Sequence, residues 1–158
     1  MSAAFIDTSA FLSKVFEEPG GGYLPRSLGN FGSLYASNLL EAEAHSAASR
    51  AGFSVTLLDE RLSDLRWVFP DRPLSREIRM VALSGVNLKG ADLWHLACAL
   101  YLAGDPKGFP FLTLDDRQAE AARRLGFKVL PEAPGVREAG AAYRSRPSGR
   151  VKKAKGKR

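Results

Sequence analysis

The stretch "AAFIDTSAFL", residues 3–12, joins an apolar run to a helical pattern through three polar residues. Residues 3–6 predict a short buried strand, because they are apolar and end abruptly at Asp7. Apolar residues resume after Ser9 at the spacing of one helical face, so a helix is expected to follow at once. This pattern places the carboxylate of Asp7 at the tip of a buried strand.

The same alternation of strand and helix continues to residue 131. Short apolar runs predict further strands in "SLYAS" (33–37), "RWVFP" (66–70), "FPFLTLD" (109–115) and "FKVLP" (127–131). Helical patterns lie between them, over residues 38–52, 56–67, 75–85, 91–104 and 116–126. Buried strands that alternate with helices are typical of a parallel sheet covered on both faces. We therefore predict a three-layer α/β/α fold with a short parallel sheet, whose ligands bind beyond the carboxyl ends of the strands.

The composition is that of a water-soluble globular protein of one domain. The chain has 158 residues, of which 45% are hydrophobic and 25% are charged. No run reaches the roughly 18–20 apolar residues that span a membrane, and no basic segment precedes the first apolar run as in a signal peptide. The single cysteine, Cys98, lies in an apolar helical run and is expected to be a core residue. A cytoplasmic location is the simplest expectation.

The positive charge is concentrated at the end of the chain. The net charge is +6, yet residues 144–158 hold eight Lys or Arg and no acid, which leaves residues 1–143 near −2. We predict a folded domain over residues 1–136 and a basic, disordered tail over residues 137–158. The tail is either a solubilising segment or a non-specific contact to the phosphates of nucleic acid.

Four acids stand where strands end or helices begin, or on the second helix. Each has an ordinary structural explanation. Asp7 is a good helix N-cap, Asp115 and Gln118 form a capping-box pattern, Asp92 suits the first turn of its helix, and Glu43 fits a solvated helical face.

Taken together, the four acids indicate a binding site for a cation. Carboxylates that gather at one edge repel one another unless protons or a hard cation neutralise them. An all-oxygen site suits Mg²⁺, or Mn²⁺. The two histidines, His45 and His95, are not spaced as zinc ligands, and no second cysteine accompanies them.

Four segments resemble, in order and spacing, the motifs of PIN-domain ribonucleases, and especially those of the small bacterial VapC-type toxins. The first segment contains Asp7, and the second contains Glu43 six positions after Ser37. The third has Asp92 at the start of an apolar helix, and the fourth has a Thr-x-Asp sequence that ends at Asp115. The matching segments are "FIDTSAFL", "SNLLEAEAHSA", "GADLWHLACAL" and "FLTLDDRQAEAARRLGFKVL". Any one motif is weak, whereas four in order are fairly specific.

The resemblance implies a metal-dependent endoribonuclease whose products carry a 5′-phosphate and a 3′-hydroxyl. It implies that Asp7 and Asp92 bind the metal directly, and that Glu43 and Asp115 hold the metal, its waters or a second ion. Three hydroxyl side chains would orient these carboxylates by hydrogen bonding: Thr8, Ser9 and Thr113.

The resemblance also implies partners. RNA is the expected substrate, and in a type II toxin–antitoxin pair a cognate antitoxin would cover an apolar groove and place an Arg in the acidic pocket. A homodimer is expected from the family and from aromatic residues that suggest excess apolar surface. These residues are Phe11, Phe16, Phe31 and Trp67.

Other functions stay open at this stage. A non-catalytic RNA- or protein-binding module on the same fold is the main alternative, although the presence of all four acids speaks against it. An aspartyl phosphotransferase would need a second acid two residues after its nucleophile, where Ser9 stands. A response regulator would need a lysine after a late strand, whereas Lys128 lies inside the predicted one.

Overall fold

The computed structural model describes residues 2–16 and 31–131. These residues form strands β1 (Ser2–Ile6), β2 (Phe31–Ser37), β3 (Leu65–Val68), β4 (Pro110–Leu112) and β5 (Lys128–Leu130). The helices are α1 (Thr8–Val15), α2 (Leu39–Ala51), α3 (Val55–Leu62), α4 (Ser75–Ala82), α5 (Gly90–Ala103) and α6 (Asp116–Leu125). The predicted basic tail lies outside the described residues.

The five strands form one parallel sheet in the order β3-β2-β1-β4-β5. The chain adds β2 and β3 on one side of β1, then crosses over and adds β4 and β5 on the other side. The junction between β1 and β4 is therefore the topological switch point of the sheet. Phe5 pairs with Phe111 there, and Ile6 pairs with Leu112.

Two hydrophobic cores lie on the two faces of the sheet, because side chains alternate along each strand. Phe5 and Phe111 stack with their ring centroids 5.6 Å apart and pack with α4, α5 and α6. Ala4 and Ile6 point to the other face and pack with α1, α2 and α3. The predicted three-layer α/β/α fold is confirmed.

Several elements are shorter than the sequence predicts, and two of them differ most. The helix expected over residues 56–67 ends at Leu62, because the chain turns at Ser63 and enters β3 at Leu65. The strand expected over residues 109–115 covers only Pro110–Leu112. Asp115 therefore stands in a turn beyond β4 and not on the strand itself.

Three of the four aromatic residues that motivated a homodimer belong to the core, and the fourth, Phe16, packs edge-on against Phe53. Phe11 is buried, while Phe16, Phe31 and Trp67 are half-buried. Phe11, Phe31 and Trp67 pack in the core around α1, α2 and α3. The large apolar side chains that are exposed in the described part of the chain are Val55, Leu57, Phe69, Met80 and Leu83. None of the helices described there is both long and apolar enough to cross a membrane.

Candidate active site

The switch point of the sheet places two acidic segments side by side. Asp7 follows β1 directly and is the N-cap of α1. The turn from Thr113 to Asp115 follows β4, and Asp115 is the N-cap of α6. In open α/β sheets, ligands bind in the crevice that such a junction opens. The topology of the sheet therefore places a candidate ligand-binding site between these two segments.

Asp7 is buried and fully engaged in hydrogen bonds. Its Oδ1 accepts from the backbone N–H of Ala10 at 2.9 Å, and Ser9 Oγ lies 2.9 Å from both of its carboxylate oxygens. Thr113 donates to Oδ2 at 2.8 Å. Burial nevertheless raises the pKa of Asp7 from 3.8 to about 6, because the loss of solvent outweighs these hydrogen bonds and the nearby charge of His95. An ionised Asp7 would thus gain from a cation close to it.

The turn after β4 is fixed by the same hydroxyl groups. Ser9 Oγ accepts from the N–H of Leu114 at 2.9 Å, and Thr113 Oγ1 accepts from the N–H of Asp115 at 3.0 Å. Asp115 Oδ1 accepts from the N–H of Gln118 at 2.8 Å, which is the expected N-cap bond. The sequence therefore predicts this cap correctly.

The other half of the predicted capping box does not form. The side chain of Gln118 is fully buried and does not return to the N–H of Asp115. Its Nε2 donates to the backbone carbonyl of Asp92 at 3.2 Å, and its Oε1 lies 3.0 Å from Thr113 Oγ1. Gln118 therefore ties the first turn of α5 to the turn after β4.

Glu43 is half-buried on α2 and is held by side chains from two other helices. Thr8 Oγ1 on α1 donates a hydrogen bond to its Oε2. His95 Nε2 on α5 lies 2.9 Å from the same oxygen. Burial disfavours the charge on Glu43, but the hydrogen bonds from His95 and Thr8 outweigh this effect and hold its pKa below the usual value.

Asp92 shares the electrostatic environment of two other acids. It lies in the first turn of α5, and partial burial raises its pKa above the usual value. The charges of Asp115 and Glu43 raise this pKa further, while His95 and Lys89 lower it. Glu43 and Asp115 thus each lie within electrostatic range of Asp92.

The donor set fits a hard divalent cation in its chemistry. All four acids supply carboxylate oxygens, and the mutual repulsion at Asp92 is the kind that a cation relieves. Among residues 2–16 and 31–131, however, no three His, Cys, Asp or Glu side chains are arranged as a ready-made metal-binding group. Asp7 and Glu43 are instead turned toward hydroxyl and imidazole partners. The assignment of the four acids as metal ligands stays a prediction.

Comparison with known proteins assigns the chain to a family. The family model described as the PIN domain matches residues 4–124, which is most of the chain and includes all four acids. This chain belongs to the PIN domain family. The resemblance drawn from the four motifs is thereby confirmed.

The fold of this PIN domain is also found among solved structures. One similar chain is in the crystal structure of VapBC2 from Rickettsia felis bound to a DNA fragment from their promoter. The two chains share 15% sequence identity with a TM-score of 0.53, over 80% of this chain and 98% of that one. At this identity the likeness describes the fold alone. No protein among the curated sequences matches.

Three buried polar residues around the acids of this PIN domain were given no role in the site from the sequence. They are Ser37, His95 and Gln118. The one available signal for His95 was its position three residues after Asp92, which puts both side chains on one face of a helix. Ser37 belongs to the second matching segment and Gln118 to the capping-box pattern, but neither pattern indicated that Ser37 meets His95 or that Gln118 meets Asp92.

Proposed function

We propose that this PIN domain is a metal-dependent endoribonuclease that hydrolyses phosphodiester bonds in RNA. The observation that carries the proposal is the gathering of acids at the switch point, where Thr113 joins Asp7 after β1 to the turn that ends at Asp115, and where Asp115 and Glu43 both raise the pKa of Asp92. Buried Asp7 borders the same junction. Concentrated negative charge at the ligand-binding edge of the sheet suits an enzyme that recruits a cation before an anionic substrate.

Mg²⁺ is the proposed cofactor, and Mn²⁺ is chemically acceptable in its place. Asp7 and Asp92 would hold the ion, with Glu43 and Asp115 holding it, its waters or a second ion. A divalent cation bound there supplies charge neutralisation at the phosphate and a lowered pKa for water. The hydroxyl groups of Thr8, Ser9 and Thr113 would orient the carboxylates that hold the ion. Their hydrogen bonds to Glu43 and Asp7 support this role.

The reaction itself requires a carboxylate to take one proton. The oxygen of a water molecule forms a bond to phosphorus while the bond from phosphorus to the 3′ oxygen breaks, and the proton taken by the carboxylate returns to that 3′ oxygen. The products are a 5′-phosphate and a 3′-hydroxyl. Asp115 is the proposed acceptor, because Asp7 and Asp92 would hold the ion and Glu43 is engaged by Thr8 and His95.

A cleavage assay with end-group analysis tests the proposal. Wild-type protein with Mg²⁺ is expected to cut single-stranded RNA and leave 5′-phosphate ends, and EDTA or Asp92→Asn should abolish the cleavage. The matched control is Asp64→Asn, which changes an exposed acid in the turn between α3 and β3. This variant should cleave RNA as the wild type does. Metal-independent cleavage, or RNA binding with no cleavage at all, would overturn the proposal. The second of these results would favour a non-catalytic binding module.

We further propose that this domain acts as the toxin of a type II toxin–antitoxin pair. Family membership and the similarity in fold to a chain of VapBC2 support this assignment. The partner would be an antitoxin protein with a basic residue for the acidic site. A short reading frame next to this gene, whose product binds the domain and suppresses cleavage, is the expected finding, and a gene neighbourhood without one would contradict the assignment.

A homodimer in the cytoplasm completes the proposal. Exposed apolar side chains on α3 and near α4, such as Leu57 and Leu83, are compatible with an interface between copies. Sedimentation analysis at micromolar concentration should give the mass of two chains. A single-chain mass across the concentration range would reject the dimer.

A further inference from the structure

A buried chain of hydrogen bonds runs from the end of β2 to the carboxylate of Glu43. Ser37 Oγ lies 2.8 Å from His95 Nδ1, and His95 Nε2 lies 2.9 Å from Glu43 Oε2. Thr8 Oγ1 donates to the same carboxylate oxygen and lies 3.2 Å from His95 Nε2. The His95 side chain is 2% exposed, so neither solvent nor RNA reaches it.

Only one arrangement of hydrogen atoms around Glu43 satisfies all the donors and acceptors of this hydrogen-bond network. An ionised carboxylate only accepts hydrogen bonds, so His95 Nε2 must carry the hydrogen. Thr8 has one hydroxyl hydrogen, and it is used on Glu43. Nδ1 then faces the Ser37 hydroxyl, which serves as a partner to a neutral or a charged ring. The imidazole therefore cannot rotate without breaking bonds at both nitrogens.

The contact between His95 and Glu43 joins the two helical layers of the domain. Residues next to Glu43 on α2, such as Ala44, pack in the core on one face of the sheet, whereas Leu96 beside His95 packs in the core on the other. The contact thus crosses the carboxyl edge of the sheet. On α5, Asp92 stands one turn before His95. The helix that carries the proposed metal ligand Asp92 therefore also carries the side chain that binds Glu43.

We propose that His95 is a positioning residue that holds the Glu43 carboxylate in place at the acidic site, with its own orientation fixed by Ser37. The inference rests on the proposed function and assigns a role to a residue that does not bind metal or RNA itself. Without His95, Glu43 would keep one donor, Thr8, and would face the repulsion of Asp92. Loss of such an outer hydrogen bond typically costs about 10- to 100-fold in metal affinity or activity.

Two substitutions at one position separate positioning from packing. The amide nitrogen of Gln stands about where Nε2 does and can donate to Glu43, whereas that of Asn stands about where Nδ1 does and reaches only Ser37. His95→Asn is expected to lower kcat on single-stranded RNA and to weaken Mn²⁺ binding by about 10- to 100-fold, with KM for RNA unchanged. His95→Gln should keep most of the wild-type kcat and most of the wild-type affinity for Mn²⁺. His45→Asn, which changes the half-exposed histidine beside Asp59, is the control and should match the wild type.

A double-mutant comparison shows whether His95 acts through Glu43. In a Glu43→Gln background, His95→Asn should cost no further Mn²⁺ affinity, because the carboxylate that it orients is already gone. Additive losses, or equal losses for His95→Asn and His95→Gln that follow a drop in melting temperature, would overturn the inference. A wild-type protein that cleaves RNA and binds Mn²⁺ no better than His95→Asn would also overturn it while leaving the proposed function intact. A wild-type protein that neither cleaves nor binds Mn²⁺ would instead remove the proposed function, and this inference with it.

Discussion

Thr113 donates a hydrogen bond to Oδ2 of Asp7 over 2.8 Å, across the junction where β4 meets β1. The same hydroxyl oxygen lies 3.0 Å from Gln118 Oε1 and accepts from the N–H of Asp115. A hydroxyl has only one hydrogen, so the two acceptors share it. One buried side chain therefore connects the acid after β1 to the acid after β4.

Replacement of Thr113 by Val should destabilise the domain. The substitution keeps the shape of the side chain but leaves Asp7, Gln118 and the N–H of Asp115 each short of a partner. An unpaired buried polar group costs about 1–3 kcal/mol, so the free energy of unfolding in urea should fall by at least that much. Thr56→Val, at an exposed position, should change it by less than about 0.5 kcal/mol. Equal stability of the two variants would show that the Thr113 hydroxyl contributes nothing.

The burial of Asp7 predicts a stability that depends on pH. Its pKa is about 6 in the folded protein and near 3.8 in the unfolded chain, so folding favours the protonated form. Between these two values the unfolded state releases the proton and the folded state keeps it. The protonated carboxyl group of Asp7 therefore contributes to stability at low pH. This contribution to the free energy of unfolding is lost as the pH rises from about 4 to about 6.

Asp7→Asn should remove this dependence. Measured in EDTA, the variant should match the wild type near pH 4 and exceed it by about 3 kcal/mol at pH 7, the free energy that corresponds to the change in the Asp7 pKa. Asn is also a good N-cap, so α1 should persist. Asp64→Asn should follow the wild-type curve. A difference between Asp7→Asn and wild type that is the same at every pH would contradict the raised pKa.

The sequence was sufficient to predict the order of the elements and the edge at which the acids lie. Asp7 ends an apolar run and caps a helix, and both facts are local, so neighbouring residues reveal them. The positions of Asp92 and Asp115 at the starts of α5 and α6 are local in the same way.

The hydroxyl groups of Thr8, Ser9 and Thr113 were expected to orient these acids, but the particular pairings could not be predicted, because most of them join residues far apart in the chain. His95 and Glu43 are separated by 52 positions, and Thr113 and Asp7 by 106. Periodicity identifies the buried face of α5 but not which side chain of another helix meets it. Only half of the capping box at Asp115 forms, since the side chain of Gln118 bonds instead to Thr113 and to Asp92, which lies 26 positions away.

The basic tail should affect RNA binding but not the chemical step. Residues 144–158 carry eight Lys or Arg and none of the four acids. Deletion of these residues should weaken binding to single-stranded RNA and flatten the salt dependence of the binding constant, by about 0.7 in slope for each phosphate that the protein no longer neutralises. The value of kcat at saturating RNA should change little. Identical salt slopes for full-length and truncated proteins would assign the tail to solubility.

A comparison of two neighbouring glutamates on α2 tests whether the acids at the switch point form a metal-dependent nuclease site. Glu43 faces Thr8 and His95 at the site, whereas Glu41 is exposed to solvent. The measurement is the rate of single-stranded RNA cleavage with saturating Mg²⁺ for the wild type, Glu43→Gln and Glu41→Gln. We expect a loss of about 10- to 100-fold for Glu43→Gln and a wild-type rate for Glu41→Gln. Equal rates for the two variants, or wild-type cleavage that persists in EDTA, would contradict this assignment of the site.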